Sequence, residues 1–321
     1  MTDATASAGS PVQTADPKDT PSGNNGSTGN SRLFTTISGG RKAKDAFATG
    51  AVYFLMVLAL APLVWVLYTV VGKGLPVVLS ADWWAFDMAG QANNSAGGGI
   101  AHAIIGTIMQ VLVTSLISIP IGIFTAVYLV EYSRGGWLGR MTTFMVDILS
   151  GVPSIVAALF VYAMWITMFG FQRSGFAVAI ALVLLMVPII VRNTEEMLRI
   201  VPMDLREASY ALGVPKWKTI VKIVLPTALS GIVTGSMLAV ARVMGESAPV
   251  LILVGSTPAI NWNVFDGNQN SLPLFMLQMY RAGSNPFVLE RLWGAAFTLV
   301  FLVGVLMIAA RIISKRFSVK V

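Results

Sequence analysis

Pro202-Met203-Asp204-Leu205-Arg206-Glu207-Ala208-Ser209-Tyr210-Ala211-Leu212-Gly213-Val214-Pro215-Lys216-Trp217 runs on through Lys218 to Ile223-Val224-Leu225-Pro226, a polar stretch between long apolar segments. Pro202 suits a first helical turn, where its missing N–H loses no bond. Leu205, Ala208, Ser209 and Leu212 then recur at the spacing of one helical face. Gly213 can adopt the left-handed conformation that closes a helix, and Pro215 restarts one. Trp217, Ile220, Val221 and Val224 form a second stripe, which Pro226 is expected to interrupt. The reading is two short helices meeting at a glycine corner. Such a hairpin suits a helix-in-groove contact with another protein; an amphipathic hairpin lying on lipid headgroups is the alternative.

The segments around it set the class. Hydrophobic residues make up 55% and charged residues 12% of the 321, about half the usual charged share of a soluble domain, and mean hydropathy is +0.73. Apolar runs cover residues 47–71, 103–130, 141–168, 176–191, 229–256 and 293–313. Each is near the roughly 20 residues that cross a hydrocarbon core, and none alternates as a barrel strand would. Six transmembrane helices follow, in an all-α integral membrane protein with a membrane domain over 47–313. With the N-terminus inside, most lysines and arginines fall on the inner side, including all those in the 202–226 loop, and only Lys73, Arg173, Arg281 and Arg291 lie outside. The positive-inside rule therefore puts both termini and the loop in the cytoplasm. The charge of +7 reads as topology and attraction to membrane lipid, with no basic groove or aromatic platform for nucleic acid.

Residues 1–46 are rich in Ser, Thr, Gly, Asn, Asp and Pro and are expected to be a disordered cytoplasmic tail, and 314–321 a cytoplasmic C-terminal tail. The first apolar run, preceded by Arg41, Lys42 and Lys44, reads as an uncleaved anchor. No phosphate-binding loop of the Gly-x4-Gly-Lys-[Ser/Thr] kind is present, so energy from ATP has to come from elsewhere. The chain has no cysteine and a single histidine, His102, which argues against metal clusters and a Ser-His-Asp triad. His102 is expected to make an interfacial hydrogen bond, and Trp83, Trp84, Trp262 and Trp293 an outer aromatic belt.

Two charges lie inside the fifth apolar run, Arg242 and Glu246. Each costs about 2.5 to 3.5 kcal/mol near a bilayer centre on insertion scales, so both have to face protein or water. Their spacing of four puts them on one helical face, with Gly231, Gly235 and Ala239 leaving room for a neighbouring helix or a narrow pathway. An ion pair that only pins helices satisfies the same pattern. In the third run Asp147, Ser150, Gly151 and Ser154 share a helical face, and Gly151 and Pro153 loosen that helix, as a kink or as part of a pathway.

Glu207-Ala208-Ser209, Gly213 and Ile223-Val224-Leu225-Pro226 fall at a spacing that resembles the EAA loop of bacterial ABC importer permeases. Ala241-Arg242-Val243-Met244-Gly245-Glu246-Ser247-Ala248-Pro249 resembles the fifth-helix motif Ala-Arg-x-x-Gly-Glu-Thr-Ala-Pro-Leu of the phosphate-specific permeases, with Ser247 for Thr and Val250 for Leu. Ala248-Pro249 matches the PstA branch of that family rather than the PstC branch. Asp147-Ile148-Leu149-Ser150-Gly151-Val152-Pro153-Ser154-Ile155-Val156 looks like their third-helix signature. Gly98-Gly99-Ile100 leading to Ile105-Gly106-Thr107 resembles the start of their second helix. The resemblance runs from about residue 98 to 250.

It implies the type I permease fold of ABC importers, with 202–226 as the cytoplasmic coupling loop that docks on an ATPase. Glu207, Ala208, Leu212, Gly213, Trp217 and Pro226 would take part in that coupling, although Glu207 could equally cap or solvate its own helix. It further implies a phosphate path at Arg242, Glu246 and Ser247, with Asp147, Ser150 and Ser154. The implied partners are a PstC-like permease, an ATPase dimer carrying ATP and Mg, and an extracytoplasmic phosphate-binding protein. This chain itself would bind no cofactor or metal, catalyse no reaction, and sit in the bacterial inner membrane. Carriage of molybdate or sulfate, or a scaffold that reports phosphate status to a sensor, are the alternatives.

Overall fold

The computed structural model describes residues 39–133 and 135–317, and every regular element among them is helical. In chain order these are α1 (Gly39–Val78), α2 (Ala81–Ala85), α3 (Ala101–Val127), α4 (Trp137–Gly151), α5 (Ser154–Val161) and α6 (Gly175–Ile200). They continue with α7 (Met203–Ala211), α8 (Lys216–Thr219), α9 (Leu225–Met244), α10 (Ala248–Leu253), α11 (Leu272–Arg281) and α12 (Pro286–Phe317). π-Helical turns extend α3 to Tyr132 and α5 to Met168, and join α8 to α9. Five helices so extended are long and apolar enough to cross a membrane, and α4 with α5 makes a sixth if that bent pair counts as one span. The chain is a multi-pass helical membrane protein.

Two of the expected spans are broken. The run 141–168 bends by 106° between Gly151 and Ser154. Val152 is forced extended by the proline after it, and Pro153 serves as the N-cap of α5. Ser154 therefore does not share a helical face with Asp147 and Ser150. The run 229–256 stops at Met244 and resumes as α10, with Pro249 in its first turn. A proline inside a helix would lose a hydrogen bond and clash with the preceding turn, whereas in a first turn it does neither, so the helix ends and begins again ahead of it.

The chain divides into two compact units, Met1–Ala61 and Pro62–Val321. In the first, the described residues form one helical stretch whose apolar side chains, Phe47, Tyr53 and Leu55 among them, are exposed. The helix begins at Gly39 and takes in Arg41, Lys42 and Lys44, which were expected in the unstructured tail; lysine, arginine and alanine are good helix formers and carry it past the apolar run. Residues 1–38 of that tail lie outside the described residues, as do 318–321 of the C-terminal tail, whose first residues continue α12.

In the second unit α6 is the central helix and packs against α3, α4, α5, α9 and α10. Leu182, Met186 and Ile190 of α6 meet Val111 of α3, Val240 and Val243 of α9, and Val250 and Leu253 of α10. Glycines permit the closest contacts. A Cβ at Gly122 would meet the Ile190 side chain at 2.6 Å, and one at Gly235 would overlap Asn193. The helix admitted by the small residues of α9 is thus α6. Around Ile100, Phe275 and Ala295 a second core forms at the end away from the hairpin. Trp83 is buried there and donates to Thr298 Oγ1 at 3.0 Å, so it packs in the core and not in an aromatic belt. His102 is also buried, lies edge-on to Phe275, and makes no hydrogen bond, contrary to the expected interfacial one.

Gly106 gives a direct test of this packing. A Cβ there would lie 2.0 Å from the Asn270 carbonyl oxygen, a backbone atom that cannot rotate away, whereas nothing lies within 4 Å of one at Gly304. Gly106→Ala should destabilise the protein by roughly 1–3 kcal/mol. Gly304→Ala should leave it unchanged or slightly more stable. Thermal melts of the two variants in detergent distinguish these outcomes.

Candidate functional site

The loop 202–226 folds as the expected hairpin, and its corner is a Schellman motif. Gly213 has φ +76°, its N–H donates to Tyr210 O at 2.9 Å, and Val214 N–H donates to Ser209 O at 3.2 Å. Glu207, Ala208, Leu212, Gly213 and Trp217 are all exposed, with Leu212 at 83% and Trp217 at 62%. The anticipated stripes are split between two surfaces. Ser209 turns inward to place its Oγ 2.8 Å from Thr219 Oγ1, tying the arms together, and Ile220 and Val224 are buried. Pro226 does not interrupt the second arm, which runs unbroken from Lys216 to Met244. The π turn over Ile220–Val224 widens the helix just ahead of the proline, where an unpaired carbonyl and a ring have to be accommodated.

What fastens the hairpin to the membrane domain was not legible in advance. Arg206 is buried and donates from Nη2 and Nε to Glu131 Oε1 at 3.0 and 3.2 Å. Its guanidinium also reaches the carbonyls of Leu198 and Val201 at the end of α6, at 2.9 and 2.7 Å. Lys216, on the other arm, donates to the Glu131 backbone carbonyl and lies over the Tyr132 ring at 4.9 Å. Both arms therefore converge on one residue in the π-helical extension of α3. The available signal was Glu131 itself, an isolated acid closing an apolar run on the end richest in lysine and arginine.

Further into the membrane domain, Arg242 and Glu246 form no ion pair, which sets aside the alternative of a pair that only pins helices. Arg242 is exposed in the last turn of α9 and has no carboxylate at ion-pair distance among the described residues. Glu246 is half-buried and lies past the helix end, after Gly245 N–H has bonded to Arg242 O at 3.1 Å. The two do not share a helical face because the helix stops between them. Thr234, Leu238 and Arg242 form an exposed line along α9 at a spacing of four. Ser247 is half-buried and takes the N-cap position of α10 without a side-chain bond to it; α10 packs against α5, so the breaks at Val152-Pro153 and Gly245–Ser247 belong to neighbouring elements. Ser154 opens α5 half-buried.

Asp147 belongs to a separate cluster. It pairs with Arg192, which also holds Glu195 at 2.9 Å, and Glu195 takes a second bond from Arg199. Ser150 Oγ donates to the Asp147 carbonyl at 2.7 Å, so its hydroxyl serves its own helix. This network joins α4 to the hairpin end of α6.

Residues 118–319 match the family described as binding-protein-dependent transport system inner membrane component. The chain is 51% identical over 285 residues to phosphate transport system permease protein PstA 1 of Mycobacterium tuberculosis, covering 88% of this chain and 92% of that one. It is 52% identical over 270 residues to the PstA permease of Mycobacterium leprae, covering 84% and 88%. Among solved structures, the bacterial alginate ABC transporter in complex with its pentasaccharide-bound periplasmic protein aligns over 87% of this chain and 97% of that chain, with TM-score 0.62 at 12% identity. The inward-facing MetNI methionine ABC transporter aligns over 67% and 94%, with TM-score 0.56 at 21% identity. The last two share the fold.

The joint at Glu131 predicts a double-mutant cycle. Removing one partner of a buried ion pair leaves the other charge stranded, at a cost of about 3–5 kcal/mol, whereas replacing both with apolar side chains is much milder. Glu131→Leu and Arg206→Met should each lower the melting midpoint strongly, and the double variant should recover a large part of the loss. Additive losses in the same melts would mean that the two side chains act separately.

Proposed function

Since this chain belongs to the binding-protein-dependent transport system inner membrane components, we propose that it is the PstA-type permease subunit of an ABC importer carrying inorganic phosphate into the cytoplasm. The names of its close relatives support the substrate. In this reading the chain is no enzyme and holds no cofactor: ATP and Mg act on a partner ATPase dimer, and a PstC-like permease completes the pathway. An extracytoplasmic phosphate-binding protein delivers the anion at the end away from the hairpin. The asymmetry of lysine and arginine supports both termini and the hairpin lying in the cytoplasm of a bacterial cell, with the chain in its inner membrane.

One observation carries the transport reading: a guanidinium, Arg242, stands exposed inside an apolar span with no carboxylate partner among the described residues. Left in hydrocarbon it would cost about 2.5–3.5 kcal/mol, so water, a partner subunit or an anion has to cover it. Phosphate carries between one and two negative charges near neutral pH and offers a guanidinium a bidentate, charge-assisted contact. Ser247 and Ser154, at the two helix breaks, supply hydroxyls in neighbouring elements, and Glu246 limits how tightly an anion is held. Asp147 and Ser150 act at the hairpin end of the path, where Asp147 is already neutralised by Arg192.

Coupling to ATP hydrolysis uses the exposed side of the hairpin. Leu212 and Trp217 are apolar anchors of the kind that seat in a groove, beside Glu207 and Ala208, and Gly213 forms the corner between them. Pro226 acts from within the second arm, next to the π turn that lets the arm pass without a break into α9.

Two variants test the two halves of this reading in proteoliposomes containing the whole transporter. Losing a charge-assisted hydrogen bond to the anion costs about 1.5–3 kcal/mol, so Arg242→Gln should slow ATP-dependent phosphate uptake about tenfold or more while ATPase stimulation by loaded binding protein persists. Unchanged uptake would place the anion elsewhere. Gly213→Asp adds a side chain and a charge at a left-handed corner and should abolish uptake together with stimulated ATPase activity. If both survive, the hairpin is not the coupling element.

A further inference from the structure

About two turns along α9 from Arg242, a groove of about 580 Å³ lies between α9 and α12, lined by Ser230, Thr234, Met237, Ile308, Arg311 and Lys315. Its floor is closed by Ser314 Oγ, which donates to the Ser230 carbonyl at 3.0 Å. From that bond α9 runs away from the hairpin through Thr234 to Met237, while α12 arrives in the opposite sense through Met307, Ile308 and Arg311 to Lys315. Both walls thus change from polar to apolar in the same direction. Over the eight residue steps from Met307 to Lys315 the change extends roughly 12 Å into the membrane. Arg311 and Lys315 are one turn apart and neither has a carboxylate at ion-pair distance among the described residues.

A cationic, hydroxyl-bearing mouth that grades into an apolar slot between two spans has the polarity profile of a phospholipid. We propose that this groove holds one anionic phospholipid of the leaflet on the hairpin side, its headgroup phosphate between Arg311 and Lys315 and an acyl chain along Met237, Met307 and Ile308. Basic pockets between transmembrane helices select such headgroups by charge. Here the apolar wall adds a requirement that inorganic phosphate, which is also present around this protein, does not meet. The lipid fills the space between α9, which carries Arg242, and α12, and so braces the helix on which the anion contact depends.

Lipid retention measured by native mass spectrometry tests this on the intact transporter in detergent, with phosphatidylglycerol and phosphatidylcholine supplied at equal concentration. The wild type should keep phosphatidylglycerol at least about threefold better, as expected for two converging cations. Arg311→Gln combined with Lys315→Gln should remove that preference. Met307→Trp, which fills the apolar slot and leaves both charges, should also reduce phosphatidylglycerol retention, and excess inorganic phosphate should not displace the lipid. Equal retention of the two lipids by the wild type would overturn the proposal, as would indifference to Met307→Trp, the signature of diffuse surface charge. Displacement by inorganic phosphate would mark the groove as a site for the free anion instead. Should the double variant fail to assemble, the Met307→Trp and competition arms still decide the matter.

Discussion

Hydrocarbon offers no partner to a peptide N–H or C=O, and this constraint governs where the chain is able to deviate from a helix. Most of the apolar runs obey it by remaining helical from one end to the other. Where the chain breaks, at Val152-Pro153 and between Gly245 and Ser247, the resuming helices α5 and α10 lie against each other and against α6. The irregular backbone is only partly covered by this packing: Val152, Glu246 and Ser247 are half-buried, while Gly151, Pro153 and Gly245 stay exposed. Even Pro226 is accommodated without a break, by one wide π turn. The two breaks therefore lie in neighbouring elements, one of them at the end of the helix that carries Arg242.

Charge is partitioned along the same lines. Glu131 and Arg206 are buried and paired, with every nitrogen of the guanidinium bonded, and they serve position. Arg192, Glu195, Arg199 and Asp147 form a half-exposed lattice that ties α4 to α6. Arg242 differs from both groups in having no carboxylate at ion-pair distance among the described residues. A guanidinium so placed inside an apolar span has to face water, a ligand or a neighbouring subunit, because hydrocarbon is too costly.

Much of this was legible in the sequence, for identifiable reasons. Span lengths follow from bilayer thickness, and the hairpin corner follows from what Gly213 alone does easily. The glycines of α9 announced a close neighbour. Pro153 and Pro249 were visible too, but whether a proline bends a helix or severs it depends on whether other elements can cover the exposed backbone, and that is a property of the packed bundle. The same limit hid the joint at Glu131. Its partner Arg206 is 75 residues away, and no periodicity links an acid at the end of one apolar run to an arginine in a later loop. Trp83 and His102 were misplaced because residues at the end of an apolar run look interfacial unless α11 and α12 are known to cover them.

Because both arms of the hairpin are anchored to the end of α3, and Arg206 also clasps the last carbonyls of α6, the hairpin has no fixed seat on the membrane domain until those two helices have met. A newly made chain whose second and fourth spans have yet to associate would hold Arg206, Lys216 and Glu131 apart and leave the loop unseated. Display of Leu212 and Trp217 in their final arrangement is thus a late event in biogenesis. Any subunit that docks there receives, in the act of docking, a report that the membrane domain behind it is complete.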